Sequence, residues 1–250
     1  MKVVFHPRFY EVYTHDPAAA PGRIEAIVQA LEGRFAFVEP EPATDGDLEL
    51  VHSRTHLGRV RSETAVDEVG RLAAGGAIEA ARRACRGEAS FALIRPPGHH
   101  ASPDSCWGFC YFNNIAISVK RLIQKKEIEK ALILDFDLHH GDGTENAFWE
   151  SSSVTYHHPE GAGREALMEA IVGLLQKADS FDILAVSAGF DRHKEDWGAT
   201  LTTEDYRTIG RHVKEAALRC CDGKRFGVLE GGYNHAVLGW NVRAFIEGME

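Results

Sequence analysis

Asp137 and His139 stand two residues apart just beyond an apolar run, Ala131-Leu-Ile-Leu134, in the segment Leu134-Asp-Phe-Asp-Leu-His-His-Gly-Asp-Gly143. In extended backbone, side chains two apart point to the same side. A carboxylate oxygen and an imidazole nitrogen facing one point suit a divalent transition metal such as zinc. The commoner use of such a pair is local, as a loop cap or a side-chain hydrogen bond to nearby backbone. A third ligand arriving from elsewhere would separate the two readings.

Whether one can arrive depends on the elements around it. Strand-like runs fall at Lys2–Phe5, Phe91–Ile94, Ala131–Phe136, Ser153–Tyr156, Asp182–Ser187 and Arg225–Leu229. Helical stretches alternate with them at Arg23–Leu31, Gly75–Cys85, Asn113–Lys125, Arg164–Ala178 and Thr203–Cys220, the last opened by a capping-box spacing, Thr202-Thr-Glu-Asp205. Short apolar strands between amphipathic helices predict an α/β fold, a mostly parallel sheet in a three-layer α/β/α arrangement. No repeat or linker divides the chain, so residues 1–250 are expected to form one domain. Charge and glycine blur the pattern over residues 32–74.

Four strands run directly into polar, glycine-containing loops: Arg95-Pro-Pro-Gly-His-His100, Asp135–Gly143, Ser187-Ala-Gly-Phe-Asp191 and Glu230-Gly-Gly-Tyr233. Ligands of open α/β sheets bind where such loops meet, at the carboxyl ends of the strands. Asp191 is then the natural third ligand. Two carboxylates and one imidazole leave a position for water, which marks a catalytic metal site rather than a structural one.

Other residues near the same edge supply further chemistry. His99 and His100 could be buried, neutral and merely hydrogen-bonded. Asp135 and Asp142, however, offer carboxylates that would fix an imidazole's tautomer and raise its basicity. Two such dyads beside a metal-bound water form a general acid–base apparatus. Tyr233 follows two glycines and could aim its phenol at a developing oxyanion, although a packed aromatic is the plainer reading. Cys110 lacks a partnered base and is read as wall rather than nucleophile. His157 and His158 follow a strand and are read as pocket lining. His6, His15, His52, His56, His193, His212 and His235 have no matched spacing and are assigned to the surface or to the surroundings of the site.

Composition narrows the rest. A net charge of −9 argues against a sequence-independent grip on nucleic acid. No apolar stretch approaches a membrane span, and the start of the chain does not read as a signal peptide. Five cysteines without a CxxC pair or a disulfide framework fit a cytoplasmic protein. A homo-oligomer is compatible with all of this.

Taken together, RPPGHHA at 95–101, GFCYFNN at 108–114, LDFDLHHGDGTE at 134–145, SAGFD at 187–191 and LEGGYN at 229–234 resemble the zinc-dependent histone deacetylase family. That family includes bacterial and archaeal deacetylases, acetylpolyamine amidohydrolases and acetoin-utilisation proteins. The glutamate of LEGGY and the GFD motif are closer to its class II members. The resemblance implies the arginase/deacetylase fold and a metal-dependent enzyme that hydrolyses a linear amide C–N bond. Its substrate would be an acetylated small amine or acetyl-lysine. Asp137, His139 and Asp191 would bind one catalytic zinc, with ferrous iron as the alternative. His100, paired with Asp142, matches the general base and acid, and His99, paired with Asp135, its electrostatic partner. Tyr233 matches the residue that polarises the scissile carbonyl, and Gly108 and Phe109 the acyl-channel wall. A structural potassium ion is implied near Asp135, held also by the Asp137 and His139 carbonyls and Thr155.

The chain is shorter than is usual for that family. Gly161-Ala-Gly-Arg-Glu165 leads almost straight into a helix where a long glycine-rich excursion is expected, leaving His158 as the positional candidate for the second channel wall. The segment Arg61–Gly75 is also short, and Thr14-His-Asp-Pro-Ala-Ala-Ala-Pro-Gly-Arg-Ile24 is only loosely similar to the family's HPExPxR stretch. A trimmed rim predicts a wider, shallower pocket. Two rivals are weighed against this reading: an arginase-like ureohydrolase, which needs further metal-binding aspartates, and an inactive metal-binding or acyl-sensing module, which would lack one of the six central residues.

Overall fold

The computed structural model describes residues 1–250. Seven strands, β1 (Lys2–Val4), β2 (Ala36–Val38), β3 (Ser90–Ala92), β4 (Ala131–Asp135), β5 (Val154–His157), β6 (Ile183–Ala188) and β7 (Arg225–Leu229), form one all-parallel sheet in the order β2-β1-β3-β7-β6-β4-β5. Every residue of β3, β4, β6 and β7 is buried, which in a strand requires cover on both faces. The edge strands β2 and β5 carry exposed positions.

The cover comes from α1 (Arg23–Leu31), α2 (Asp45–Leu48), α3 (Arg54–Arg61), α4 (Thr64–Cys85), α5 (Asn114–Gln124), α6 (Asp142–Phe148), α7 (Arg164–Lys177), α8 (Thr203–Cys220) and α9 (His235–Met249). α4 packs on α5, and α9 packs on both α1 and α8. The result is the three-layer α/β/α arrangement, around a continuous cluster of 67 buried apolar residues. No helix is long and apolar enough to cross a membrane.

The expected strands and helices all form, but several elements have no counterpart among the expectations. β2, α2, α3, α6, α9 and the first half of α4 belong to this group. In α4 the obstacle is glycine, which opposes helix in isolation. A Cβ at Gly75 would stand 1.9 Å from the Glu41 carbonyl, so the missing side chain is what lets the preceding loop cross the helix. The capping box at Thr202 forms as expected, with the Thr202 amide donating to Asp205 Oδ2 at 2.8 Å.

Topology does the positioning. The four strands whose loops carry the chemistry, β3, β7, β6 and β4, are consecutive neighbours, and all point the same way. Their carboxyl ends therefore meet at one edge. His52 helps to fix the loop between β3 and α5. Its Nδ1 lies 3.1 Å from the Ser102 carbonyl, and its Nε2 accepts the Asn113 amide at 2.9 Å. Burial pushes this imidazole down to about 3, so it holds both bonds as a neutral ring.

Candidate active site

β4 ends at Asp135, and the chain then bends so that its own carboxylates catch its amides. Asp135 Oδ1 accepts the Asp137 amide and Asp137 Oδ1 accepts the His139 amide, both at 3.0 Å. The Gly231 amide, from the loop after β7, donates to Asp137 Oδ2 at 2.8 Å. The Leu138 amide donates to Asp191 Oδ1 at 3.0 Å. Three loops are thereby pinned to one another through two carboxylates.

This brings Asp137, His139 and Asp191 together, with one ligand atom of each within 4.8 Å of the others. His139 Nδ1 lies 3.2 Å from both Asp137 Oδ1 and Asp191 Oδ2. Asp137 and Asp191 are wholly buried, and Asp191 Oδ2 has no hydrogen-bond partner. A buried carboxylate oxygen left bare is costly unless a cation meets it. Burial and the neighbouring Asp137 raise the Asp191 carboxyl to about 6, while the hydrogen bond to Asp137 and the nearby Asp191 carboxylate raise His139 to about 10. The cluster thus attracts positive charge, and its one-nitrogen, two-carboxylate donor set fits zinc or ferrous iron.

The two dyads are present. His99 Nδ1 donates to Asp135 Oδ2 at 3.1 Å, and Tyr156 donates its hydroxyl to the same oxygen at 2.9 Å. His100 Nδ1 donates to Asp142 Oδ1 at 2.7 Å, while Trp107 Nε1 donates to the other oxygen at 2.9 Å. Burial lowers His100 to about 4, helped by His99 and opposed by Asp142. For His99, burial also acts downward, but Asp137 and Asp135 outweigh it and hold that ring well above the ordinary range. The adjacent imidazoles are thus driven in opposite directions, which is how one site keeps an acid and a base side by side.

Above these groups lies a cavity of about 370 Å³ lined by Pro97, His99, His100, Trp107, Gly108, Phe109, His139, Trp197, Gly231 and Tyr233. Gly108 is a structural requirement, because its φ is +59° and a Cβ there would meet His100 Cδ2 at 2.4 Å. Phe109 follows at φ 67° and faces Tyr233 edge-on, with ring centroids 6.0 Å apart. Trp197 stacks on Tyr233, with ring centroids 4.0 Å apart. The Tyr233 and Asn234 amides both donate to Asp196 Oδ2 at 2.8 Å, which ties the loops after β6 and β7 together. Arg23 donates to the Gly232 and Glu230 carbonyls from behind, its guanidinium 5.5 Å from the centre of the Tyr233 ring.

Some expected residues lie elsewhere. His158 does not line this cavity: its Nε2 sits 3.1 Å from a terminal nitrogen of Arg192, whose Nε donates to the Phe136 and Asp137 carbonyls. Trp197, rather than His158, lines the cavity together with Phe109. His157 lines a separate cleft with Thr155. Thr155 cannot join Asp135, because alternation along β5 sends Tyr156 to that carboxylate and Thr155 away from it. Thr155 therefore does not join the other expected potassium donors. Cys110 is buried behind the cavity wall, and burial pushes its thiol well above the ordinary range, as expected of wall rather than nucleophile. Of the histidines assigned to the surface or to the surroundings of the site, His52, His56 and His193 are buried.

Trp107, Trp197, Tyr156, Asp196 and Arg23 are the site residues that motif spacing did not reveal. Trp107 could have been suspected from its position beside Gly108. Arg23 closes the stretch loosely similar to HPExPxR, and the other three carry no local signal, since each acts through a contact distant in sequence.

The histone deacetylase domain model matches residues 17–159 and 157–249. The chain belongs to the histone deacetylase family. Among its relatives, a probable deacetylase of Methanothermobacter thermautotrophicus is 33% identical, over 99% of this chain and 90% of its own. A histone deacetylase-like amidohydrolase of Pseudomonas aeruginosa is 29% identical, over 88% of this chain and 72% of its own. Among solved structures, the HDA15 HD domain superposes with a TM-score of 0.86 at 26% identity, covering 98% of this chain and 88% of that one. The protein is thus a deacetylase-type enzyme of this family, and the cavity at the carboxyl edge of its sheet is the place to seek the reaction.

Proposed function

We propose that residues 1–250 act as one catalytic domain, a zinc-dependent amidohydrolase that removes an acetyl group from an amine, either acetyl-lysine or a small acetylated amine. The observation that carries this reading is the bare Asp191 oxygen within a three-ligand cluster, at the base of a cavity that also holds two imidazole–carboxylate dyads and a tyrosine.

When bound by Asp137, His139 and Asp191, zinc would supply a Lewis acid and acidify a water molecule. Everything else is done by side chains of this chain. His100, neutral and with its Nδ1–H held by Asp142, presents Nε2 to the cavity as the base that takes the water's proton. Tyr233 donates its hydroxyl to the oxyanion that develops on the acetamide carbon. Burial keeps that phenol protonated far above its ordinary range, so it is a donor at every working pH. His100 then returns a proton to the leaving nitrogen as the C–N bond breaks, and His99 steadies the charge through Asp135. Acetate and the free amine leave.

The test is hydrolysis of a fluorogenic acetyl-lysine substrate and of acetylated diamines, before and after chelation and with zinc added back. Chelation should silence the protein and zinc should restore it. Tyr233→Phe should cost about 10²–10³ in kcat with little change in KM, the expected loss for one oxyanion donor. Equal activity with and without metal, or an unimpaired phenylalanine variant, would sink the reading.

Trp107 and Trp197 stand at the cavity with 56% and 53% of their surface exposed, where longer rim loops were expected to be missing. They narrow an otherwise open mouth and form the pocket's specificity wall. Trp197→Ala is expected to shift the ratio of kcat/KM for butyryl over acetyl substrates upward by about tenfold, since one wall contact is of that order. An unchanged ratio in a competition assay would remove Trp197 from that role.

A further inference from the structure

Arg192, the residue after Asp191, is 8% exposed and points beneath the metal-ligand loop. Its Nε donates to the Phe136 carbonyl at 3.2 Å and the Asp137 carbonyl at 2.9 Å, and a terminal nitrogen lies 3.1 Å from His158 Nε2. A buried guanidinium usually takes a carboxylate as its partner, often in a two-pronged pair. Here its hydrogen bonds go to main-chain oxygens and an imidazole, the company kept by a bound monovalent cation. Negative charge is nevertheless close by. Asp135, Asp137 and Asp191 are all buried around the loop, and His158 Nδ1, which has no hydrogen-bond partner, lies 3.8 Å from Asp135 Oδ1. Arg192 brings a fixed positive charge to the same turn, bonded to its carbonyls rather than to any of the carboxylates.

We propose that Arg192 is the built-in cation of this loop, standing where a potassium ion would otherwise be needed. It is a positioning residue. By holding the Phe136 and Asp137 carbonyls it fixes the turn from which the Asp137 carboxylate faces the metal, so metal binding is independent of potassium. This rests on the reading of Asp137, His139 and Asp191 as the zinc site. The misplaced Thr155 hydroxyl and the occupied Asp137 carbonyl are two views of the same substitution.

The experiment measures zinc affinity by chelator competition, on the full chain, in potassium chloride and in choline chloride at equal ionic strength. Wild-type affinity should be the same in both salts. Arg192→Ala should bind zinc roughly ten- to a hundredfold more weakly, as for other residues that orient metal ligands, and should recover with added methylguanidinium or potassium. Arg192→Lys, which keeps the charge on a single-point donor, should stay potassium-independent and serves if the alanine variant fails to fold. A wild-type affinity that rises saturably with potassium would overturn the proposal, as would a folded alanine variant with unchanged affinity. A wild-type protein that binds no zinc at all would overturn the metal site itself, an outcome distinct from the other two.

Discussion

Asp191→Asn is expected to lose tightly bound zinc and, with it, at least about a thousandfold in turnover, because without the metal a water's pKa returns from about 7 towards 15.7. The substitution keeps shape and removes charge. Asp191 Oδ1 accepts the Leu138 amide, a bond that an amide oxygen can keep, so the loop need not move. Oδ2 is the bare oxygen facing His139, and that is where the donor set is broken. Stability should move the opposite way in the metal-free protein. Burial and Asp137 raise the Asp191 carboxyl above its ordinary value, so an ionised Asp191 near neutral pH opposes folding. Metal-free Asp191→Asn should therefore melt above metal-free wild type, whereas only the wild type should gain further stability from zinc. Zinc analysis, turnover and thermal melts on both proteins check all three statements. A variant that keeps stoichiometric zinc would show that the third ligand lies elsewhere.

His100→Ala is expected to keep its zinc and still lose about 10²–10⁴ in kcat, the usual worth of a positioned general base. The ring packs 4.0 Å from both His99 and Trp107 but is not in the ligand cluster, so zinc content separates this variant from the previous one. Its pH behaviour follows from the environment. The base works when neutral, so activity is present above its pKa and is lost as pH falls through it. Burial and His99 set that value at about 4, well below an ordinary histidine. The acid limb of kcat/KM should accordingly lie near there, with zinc content verified at each pH. Asp142→Asn removes an interaction that raises the pKa, so the limb should move to still lower pH while turnover falls. A limb near pH 6.5 that ignores Asp142 would assign the base to another group.

The legible and illegible parts of this site divide by the range of the interaction. Asp137 and His139 could be paired from their spacing, although β4 stops at Asp135 and a bend, not continued strand, makes the two side chains converge. Asp191 and Tyr233 could be placed because strands of one parallel sheet deliver their loops to one edge. His158 was misplaced because the deleted excursion after β5 removed the spacing on which its position rested. Its wall went to Trp197, six residues beyond Asp191 in a loop without periodicity. The helices α3, α9 and the first half of α4 escaped for a related reason. They combine glycine or charge with apolar positions, so packing rather than propensity holds them helical.

By itself the sequence determined the chemistry: which acids, imidazoles and phenol exist, that they follow strands, and that the alternation of strand and helix forces a covered parallel sheet. Those are local properties, encoded in residue type and period. The tertiary structure decided which of the two imidazoles is held neutral, which aromatics wall the cavity, and that an arginine holds the carbonyls of the turn after β4. Each of these depends on burial and on fields from residues tens of positions away. His100 is lowered and His99 raised although they are adjacent, because only the fold places Asp135 and Asp137 against one and leaves desolvation to govern the other.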